Sequence, residues 1–374
     1  MSIRSLSNSY VDSLSAEMLK KQLDATFFKK GVLIAVLSGM CYGLYTAFMT
    51  LGMTKGVWAY WYGNNSVFLS AFVVTYMLGA LGSAVNDSMS ALWALGHAGL
   101  KGKLGDFIRC LRTKPGRIMM LAAAIGGPIS SAAYVIGIQL AGSIAVPISA
   151  LCPAIGAVLA RILFKQKLNS RMLLGIFICV FAGFIISTTA VGQDAPEGRL
   201  LGIMIALIAA FGWGLEGCVA GYSSTLIDYE IGITIRQCTS GLGNLCVLLP
   251  IFAFIGNEPL TLGFQLFGKA LTSSAIFFFI ISGFFALFAY GLWYKGNSMC
   301  GTALGMACNG MFSFWGPFFC WIILGVFAGL EGWALPPIAW VAAIIMALGI
   351  FIIADNPLKF IRHCHRINLK GDHR

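Results

Sequence analysis

Long apolar runs separated by short polar connections tile the chain, and their length is the first constraint on its fold. A helix that crosses about 30 Å of hydrocarbon needs roughly 20 apolar residues. Windows of that kind fall at 32–53, 58–84, 118–140, 144–164, 172–191, 200–226, 232–255, 272–294, 301–328 and 337–354. Strands of a membrane barrel would alternate apolar and polar positions over about ten residues, whereas a stretch such as 275–288 is apolar on every face. The pattern therefore predicts an all-α polytopic membrane protein with ten transmembrane helices. Composition agrees: of 374 residues 58% are hydrophobic and 10% charged, and a soluble core of that size would leave large apolar patches in water.

The net charge of +11 would suit a polyanionic partner, but the basic residues gather in a few connections. Lys20, Lys21, Lys29 and Lys30 precede the first window; Lys101, Lys103, Arg109, Arg112, Lys114 and Arg117 follow the second; Lys165, Lys167 and Arg171 follow the fourth; Lys359, Arg362, Arg366, Lys370 and Arg374 end the chain. With ten crossings all four groups fall on one side, the arrangement that marks a cytoplasmic face. A multi-pass protein of the cytoplasmic membrane with both termini inside is expected, and no nucleic-acid partner. Asp228 and Glu230 are discordant in a cytoplasmic turn, although acids count little in this rule.

Eleven cysteines lie without C-x-x-C spacing and read as small packing residues. Cys364 with His363 and His365 is compact enough to touch a metal, but four ligands of suitable spacing are absent, so no metal and no cofactor is expected. Residues 1–30 form a polar cytoplasmic arm in which Leu19, Leu23 and Phe27 recur at helical spacing, an arm that lies along the membrane surface or is disordered. No short apolar stretch with a cleavage site, and hence no signal peptide, is expected before the first span.

The chain also repeats itself. Tyr42-Gly43-Leu44 matches Trp213-Gly214-Leu215 at an offset of 214 − 43 = 171, and Ala133-Tyr134 matches Ala289-Tyr290 at 290 − 134 = 156, where Cys152 also meets Cys308. The difference, 171 − 156 = 15 residues, is assigned to a long loop at about 86–117. Residues 31–192 and 200–354 then form two five-helix repeats, with 355–374 a basic tail. Five is odd, so the second repeat crosses the membrane inverted, an architecture shared by many secondary transporters.

The half-ends carry a family likeness. Pro147-Ile-Ser-Ala-Leu-Cys-Pro153, then Ala160-Arg-Ile-Leu-Phe-Lys-Gln-Lys-Leu168, Leu174-Gly-Ile and Ala182-Gly-Phe-Ile-Ile186, are matched in the second half by Tyr290-Gly-Leu-Trp293, Gly301-Thr-Ala303, Leu324-Gly325, Gly329-Leu-Glu331 and Leu348-Gly-Ile-Phe-Ile352. In these the chain resembles the drug/metabolite transporter superfamily, in its ten-helix branch of tandem EamA-type domains. The first half departs from that pattern: Gln166 and Lys167 stand where the family usually has a Glu, whereas Glu331 is retained. The resemblance implies helices 1, 3, 4, 6, 8 and 9 around a central cavity, and alternating access by rocking of the repeats. Gly39/Gly43, Gly217/Gly221 and Gly301/Gly305 are G-x-x-x-G pairs that allow close backbone approach, as moving contacts or as ordinary packing.

Glu216 stands near the middle of the sixth window, where a lipid-facing carboxylate would cost several kcal/mol. It should face inward. Lys295 and Arg236 fall near cytoplasmic ends, where long side chains snorkel to water, so no cation is expected at its depth. Such an acid keeps its proton or awaits a cation from a ligand; a protonated Glu bonded to a neighbouring helix is the structural alternative. Trp213 shares the face of Glu216, their counterparts Tyr42 and Tyr45 share one on the first span, and Tyr290, Trp293 and Tyr294 on the eighth answer to Tyr134 on the third. Aromatic faces attract an organic cation by about 2 kcal/mol or more when desolvated. Trp293, Tyr294 and the run Trp58, Tyr60, Trp61, Tyr62 also suit an aromatic belt at the membrane edge. Asn64, Asn65, Asn244 and Asn309 add hydrogen-bonding groups, for a ligand or between helices.

No histidine lies in a window, no zinc-protease, Walker or nucleophile-elbow motif occurs, and paired intramembrane carboxylates are not expected. The chain is read as a non-enzymatic secondary transporter of a small organic metabolite, preferably a cationic or zwitterionic amine, with Glu216 as proton carrier or counter-ion. Substrate-binding or proton-coupling residues would be Glu216, Trp213, Tyr42, Tyr45, Tyr134, Tyr290, Asn309, Asn244 and Asn64. Partners would be the substrate, the bilayer and a coupling proton or ion, in a monomer or homodimer. A carrier of a neutral or anionic metabolite, such as an amino acid, sugar or nucleotide precursor, is the alternative, and a non-transporting membrane scaffold a third.

Overall fold

The computed structural model describes residues 3–63, 69–164, 169–188, 198–223, 226–300 and 302–354, and among these it contains helices and no strand. In chain order they are α1 (Ile3–Gly52), α2 (Gly56–Tyr62), α3 (Leu78–Leu100), α4 (Leu104–Leu111), α5 (Lys114–Ala124), α6 (Ala132–Ala141), α7 (Ala145–Ser149), α8 (Cys152–Phe164) and α9 (Ser170–Thr188). There follow α10 (Arg199–Ser223), α11 (Tyr229–Gly243), α12 (Leu249–Ile255), α13 (Leu262–Thr272), α14 (Ile276–Cys300), α15 (Thr302–Asn309), α16 (Phe312–Cys320) and α17 (Pro337–Ala354). Wider π-helical segments at Val73–Met77, Ile125–Ser131, Asn244–Leu248 and Trp321–Phe327 join or extend them.

Among the described residues five stretches are long and apolar enough to cross a bilayer: Thr26–Gly52, Lys114–Ser149, Arg199–Ala220, Tyr229–Ile255 and Ile276–Met299. Shorter apolar helices occupy Ser170–Ile185, Phe312–Phe327 and Pro337–Ile352. Large apolar side chains point outward, among them Phe177, Phe181 and Phe184 on α9 and Val341, Ile344 and Leu348 on α17. Inside lie Ser38, Thr46, Asp87, Glu216, Arg236 and Asn244. Polar groups within and large apolar side chains on the outer surface is the arrangement hydrocarbon favours, because helices satisfy their own backbone and only side-chain polarity needs shelter. The chain is an all-α membrane protein.

Local signals set the helix ends. Thr113 caps α5 by accepting from Gly116 N at 3.1 Å, with Pro115 in the first turn, and Asp228 caps α11 by accepting from Glu230 N at 2.9 Å; each side chain satisfies one otherwise orphaned amide. Gly142, at φ 64° and ψ −150°, ends α6 in a conformation open to glycine alone. Pro128 lies within the π-helical Ile125–Ser131, where the hydroxyls of Ser130 and Ser131 donate back to the carbonyls of Ile125 and Gly126. Those bonds occupy acceptors that the local departure from α-helical pairing releases.

α1 packs along α14, α6 along α10, α3 between α11 and α14, and α9 along α17, while α16 lies on α1 and α8 on α10. α3 and α11 are antiparallel: Ser83, Asp87, Ser90 and His97 meet Asn244, Ser240, Gln237 and Glu230 in reversed order.

Four expectations are corrected. The window 58–84 is divided: α2 ends at Tyr62, and the next helical run begins at Val73 and continues to Leu100. Most of the loop assigned to 86–117 is consequently helix, disguised in sequence by the buried polar groups of Ser83, Asn86, Asp87 and Ser90. The arm before the first span is helix continuous with it, since α1 runs unbroken from Ile3 to Gly52. Trp58 and Trp61, read as belt residues, are buried, and only Tyr60 of that group is half exposed.

α1 approaches its neighbours at Gly39 and Gly43. A Cβ at Gly43 would stand 2.7 Å from the backbone carbonyl of Trp315, and one at Gly39 would stand 2.9 Å from that of Asn309. Gly43→Val should therefore lower stability by about 1–3 kcal/mol, the usual cost of overpacking against rigid backbone. The melting temperature of detergent-solubilised protein checks this.

Candidate functional site

Five of the rings singled out in the sequence converge where α1, α6, α10 and α14 cross. Tyr42 is at their centre: its ring centroid lies 4.6 Å from Tyr45, 5.7 Å from Tyr134, 5.6 Å from Trp213 and 5.8 Å from Tyr290. Phe312 of α16, which the sequence does not single out, stacks on Tyr42 at 4.1 Å. Trp213 donates Nε1–H to the carbonyl of Gly126 at 3.0 Å, and the Tyr134 hydroxyl pairs with that of Thr46 at 2.7 Å. The Tyr42 hydroxyl is buried without a hydrogen-bond partner, although an unsatisfied buried hydroxyl costs about 1–3 kcal/mol.

Glu216 faces this interior and is fully buried. It has the cation that the sequence reading denied it. Arg236, also fully buried, donates from Nε to Oε1 at 3.0 Å and from Nη2 to Oε2 at 3.5 Å. Snorkelling loses because a complete set of partners is available inside: besides Glu216, Arg236 donates to Gln237 Oε1 at 2.6 Å and its guanidinium lies 3.4 Å above the Tyr290 ring. Tyr294 likewise leaves the belt; it is buried and donates to Glu216 Oε1 at 3.2 Å, and Trp293 is buried beside it. Gly126 makes room for the acid, since a Cβ there would collide with the Glu216 carboxylate.

A second buried carboxylate corrects the expectation of none. Asp87 on α3 accepts from Ser240, from Asn244 Nδ2 at 3.1 Å and from Asn86 Nδ2 at 3.2 Å. Gln237 donates to Ser90, which extends the Glu216–Arg236 pair into the same seam. Two polar stripes at helical spacing, Ser83/Asn86/Asp87/Ser90 and Arg236/Gln237/Ser240/Asn244, mark these faces in the sequence. Of the asparagines named there, Asn244 joins this seam, Asn309 donates to Ser38 Oγ at 2.9 Å and ties α15 to α1, and Asn64 and Asn65 lie outside the described residues.

At one end of α3 and α11 a clamp explains the discordant acids. Glu230 takes Lys101 and, at 2.6 Å, Lys103, which also reaches Asp228 at 3.0 Å. His97 stands 3.5 Å from Glu230, and Lys295 donates to the Tyr229 hydroxyl at 3.3 Å. The acids thus neutralise basic residues of the connection they face.

No family model matches the chain. Protein LicB of Haemophilus influenzae is 22% identical over 233 residues, covering 62% of this chain and 73% of LicB. A solved structure, described only as "Crystal structure of protein", matches 87% of this chain and 96% of its own length with a TM-score of 0.52 at 16% identity. That likeness concerns the fold alone.

Removing either partner of a buried ion pair strands the other charge at a cost of about 3–5 kcal/mol, whereas removing both is far milder. Arg236→Met and Glu216→Met should each destabilise by that order and the double variant should recover most of it; additive losses in a denaturation series would contradict the pairing. Glu230 beside it holds the Lys103 ammonium above its ordinary value of 10.5. Its stabilising contribution is complete below that value and is lost as pH rises through the higher folded-state one. Lys103→Gln should lower the melting temperature at neutral pH, and its curve should converge on the parent's only in strong alkali.

Proposed function

We propose that the protein is a secondary transporter of a small organic metabolite, built as ten membrane passages in two inverted repeats like the EamA-type carriers it resembles. The packing supports the repeat. The π-helical segments Val73–Met77 and Asn244–Leu248 are equal in length and separated by 244 − 73 = 171 residues, the offset found in the sequence. Exchanging the halves interchanges the pair α1 with α14 and the pair α10 with α6, while α9 with α17 maps onto itself, as a two-fold axis requires. α12 ends at Ile255, whose counterpart is 255 − 171 = 84, yet α3 runs to Leu100, or 100 − 84 = 16 residues further. That excess is close to the 15-residue register slip between the two sequence matches.

The observation that carries the function is the meeting of the aromatic cluster with the buried Glu216–Arg236 pair. Ring faces and a carboxylate suit an ammonium group, and Arg236 suits a carboxylate, so a zwitterionic amine would find both of its charges answered. The guanidinium over Tyr290 occupies the kind of position a ligand cation would take. The rings touch one another in this structure; admission of a ligand requires α1 to part from α10 and α14, the rocking expected of such carriers.

A neutral or anionic substrate is the second reading, and the buried guanidinium of Arg236 favours it by offering a site for an anionic group. The closed packing of the cluster favours the third, a membrane scaffold that transports nothing.

In proteoliposomes, saturable uptake should be seen for tetramethylammonium or glycine betaine, and Tyr42→Ala or Trp213→Ala should weaken it about tenfold or more, the equivalent of losing one cation–π contact. Tyr60→Ala, at an exposed ring, should leave it unchanged. Uptake of a neutral metabolite unaffected by quaternary amines would support the second reading, and no uptake of any panel member the third.

A further inference from the structure

The interior charges do not balance. Among the described residues the buried charged side chains are Asp87, Glu216, Glu230 and Arg236. Glu230 is neutralised at the helix end by Lys101 and Lys103, and Glu216 by Arg236. Asp87 is left with neutral donors: the Ser240 hydroxyl and the amides of Asn244 and Asn86. Of the ionisable groups that act on it, α11 supplies Arg236 and α14 supplies Tyr290, with Glu216 of α10 beyond Arg236; its neighbours Ser83, Asn86 and Ser90 on α3 carry no charge. One guanidinium offsets one carboxylate, so the seam retains one negative charge. Asp87 lies fourteen residues from Lys101, about 20 Å along the helix, at a depth where an uncompensated charge costs several kcal/mol.

A second observation falls at the same place. Asn244 is fully buried, its Nδ2 bonds Asp87, and its Oδ1 has no hydrogen-bond partner. The oxygen of Ser240 touches the carboxylate, and those of Ser83 and Ser282 stand one partner further out, on Asn244 and Asn86. These are hard oxygen donors, the kind that suit small cations of low polarisability. Asn244 also opens the π-helical segment Asn244–Leu248, and such wider turns within a helix are frequent at functional sites.

We propose that the polar cluster around Asp87 is the seat of a small inorganic monovalent cation, a proton or an alkali ion such as Na+, that neutralises the surplus charge at a site distinct from the aromatic cluster. The seat is connected to that cluster by two routes. The Ser282 hydroxyl lies 2.5 Å from Asn86 Oδ1 and 2.9 Å from the carbonyl of Tyr45, and Ser90 leads through Gln237 and Arg236 to the Tyr290 ring. Use of the cation to drive transport rests on the transporter reading; the seat itself does not.

The test is accordingly thermal, on purified full-length protein in detergent. Na+ is exchanged for N-methylglucamine at constant ionic strength, and pH is varied separately from mildly acidic to mildly alkaline. A cation bound only by the folded state at about 100 times its Kd raises Tm by several degrees. The parent should show that shift with Na+ or with acid, which tells the two cations apart; Asp87→Asn should abolish it, and Glu230→Gln should keep it. Should Asp87→Asn fail to fold, Asn244→Ala should move the Na+ concentration or the pH at which half of the shift is reached. A parent indifferent to both Na+ and pH overturns the proposal, as does a shift that persists in Asp87→Asn or a midpoint unmoved in Asn244→Ala. Amine uptake enters none of these readings, so failure of the transporter reading remains separable.

Discussion

Arg236 and Glu216 can stay charged in the middle of a lipid-facing bundle only because each is the other's nearest counter-charge, and the surrounding packing follows from keeping them together. The pair demands space, which Gly126 provides by lacking a side chain where the carboxylate lies. It demands further hydrogen bonds, which Gln237 and Tyr294 supply, and a polarisable wall, which is the Tyr290 ring. A buried pair of this kind adds little net stability against an apolar alternative, yet it penalises every arrangement that separates its members. It therefore selects one relative placement of α10, α11 and α14, and the aromatic cluster is built on that placement.

The periodicity of the chain discloses the class of fold because lipid imposes a simple rule, and the rule is obeyed by most helices. It fails at α3. Asn86 and Asp87 depress the apolar signal in the middle of a helix, so a continuous element reads as a loop. What decides that stretch is the facing stripe on α11, a long-range pairing that no local window contains. Arg236 is hidden for a related reason: sequence position places it about two turns from the start of α11, and only the neighbours on other helices determine that it turns inward.

The site is legible to a similar extent. Trp213, Tyr42, Tyr45, Tyr134 and Tyr290 come together as helical facing and internal repetition lead one to expect, since both arguments concern backbone geometry. Their charge environment is not legible, because it depends on which of several long side chains finds a partner. Asn309 shows the limit from the other side: a polar residue in a span serves as a tie between α15 and α1 as readily as a ligand contact.

The antiparallel rungs between α3 and α11 have a consequence for how the chain is made. Asp87 leaves the ribosome 236 − 87 = 149 residues before Arg236, an interval of about 7–30 s at ordinary rates of synthesis. Throughout that time the half-finished molecule holds an acid that has Asn86 beside it but lacks Ser240, Asn244 and Arg236. Until α11 arrives, burial of α3 in hydrocarbon carries the cost of that unanswered acid, about 3 kcal/mol on insertion scales, and the later helix removes it.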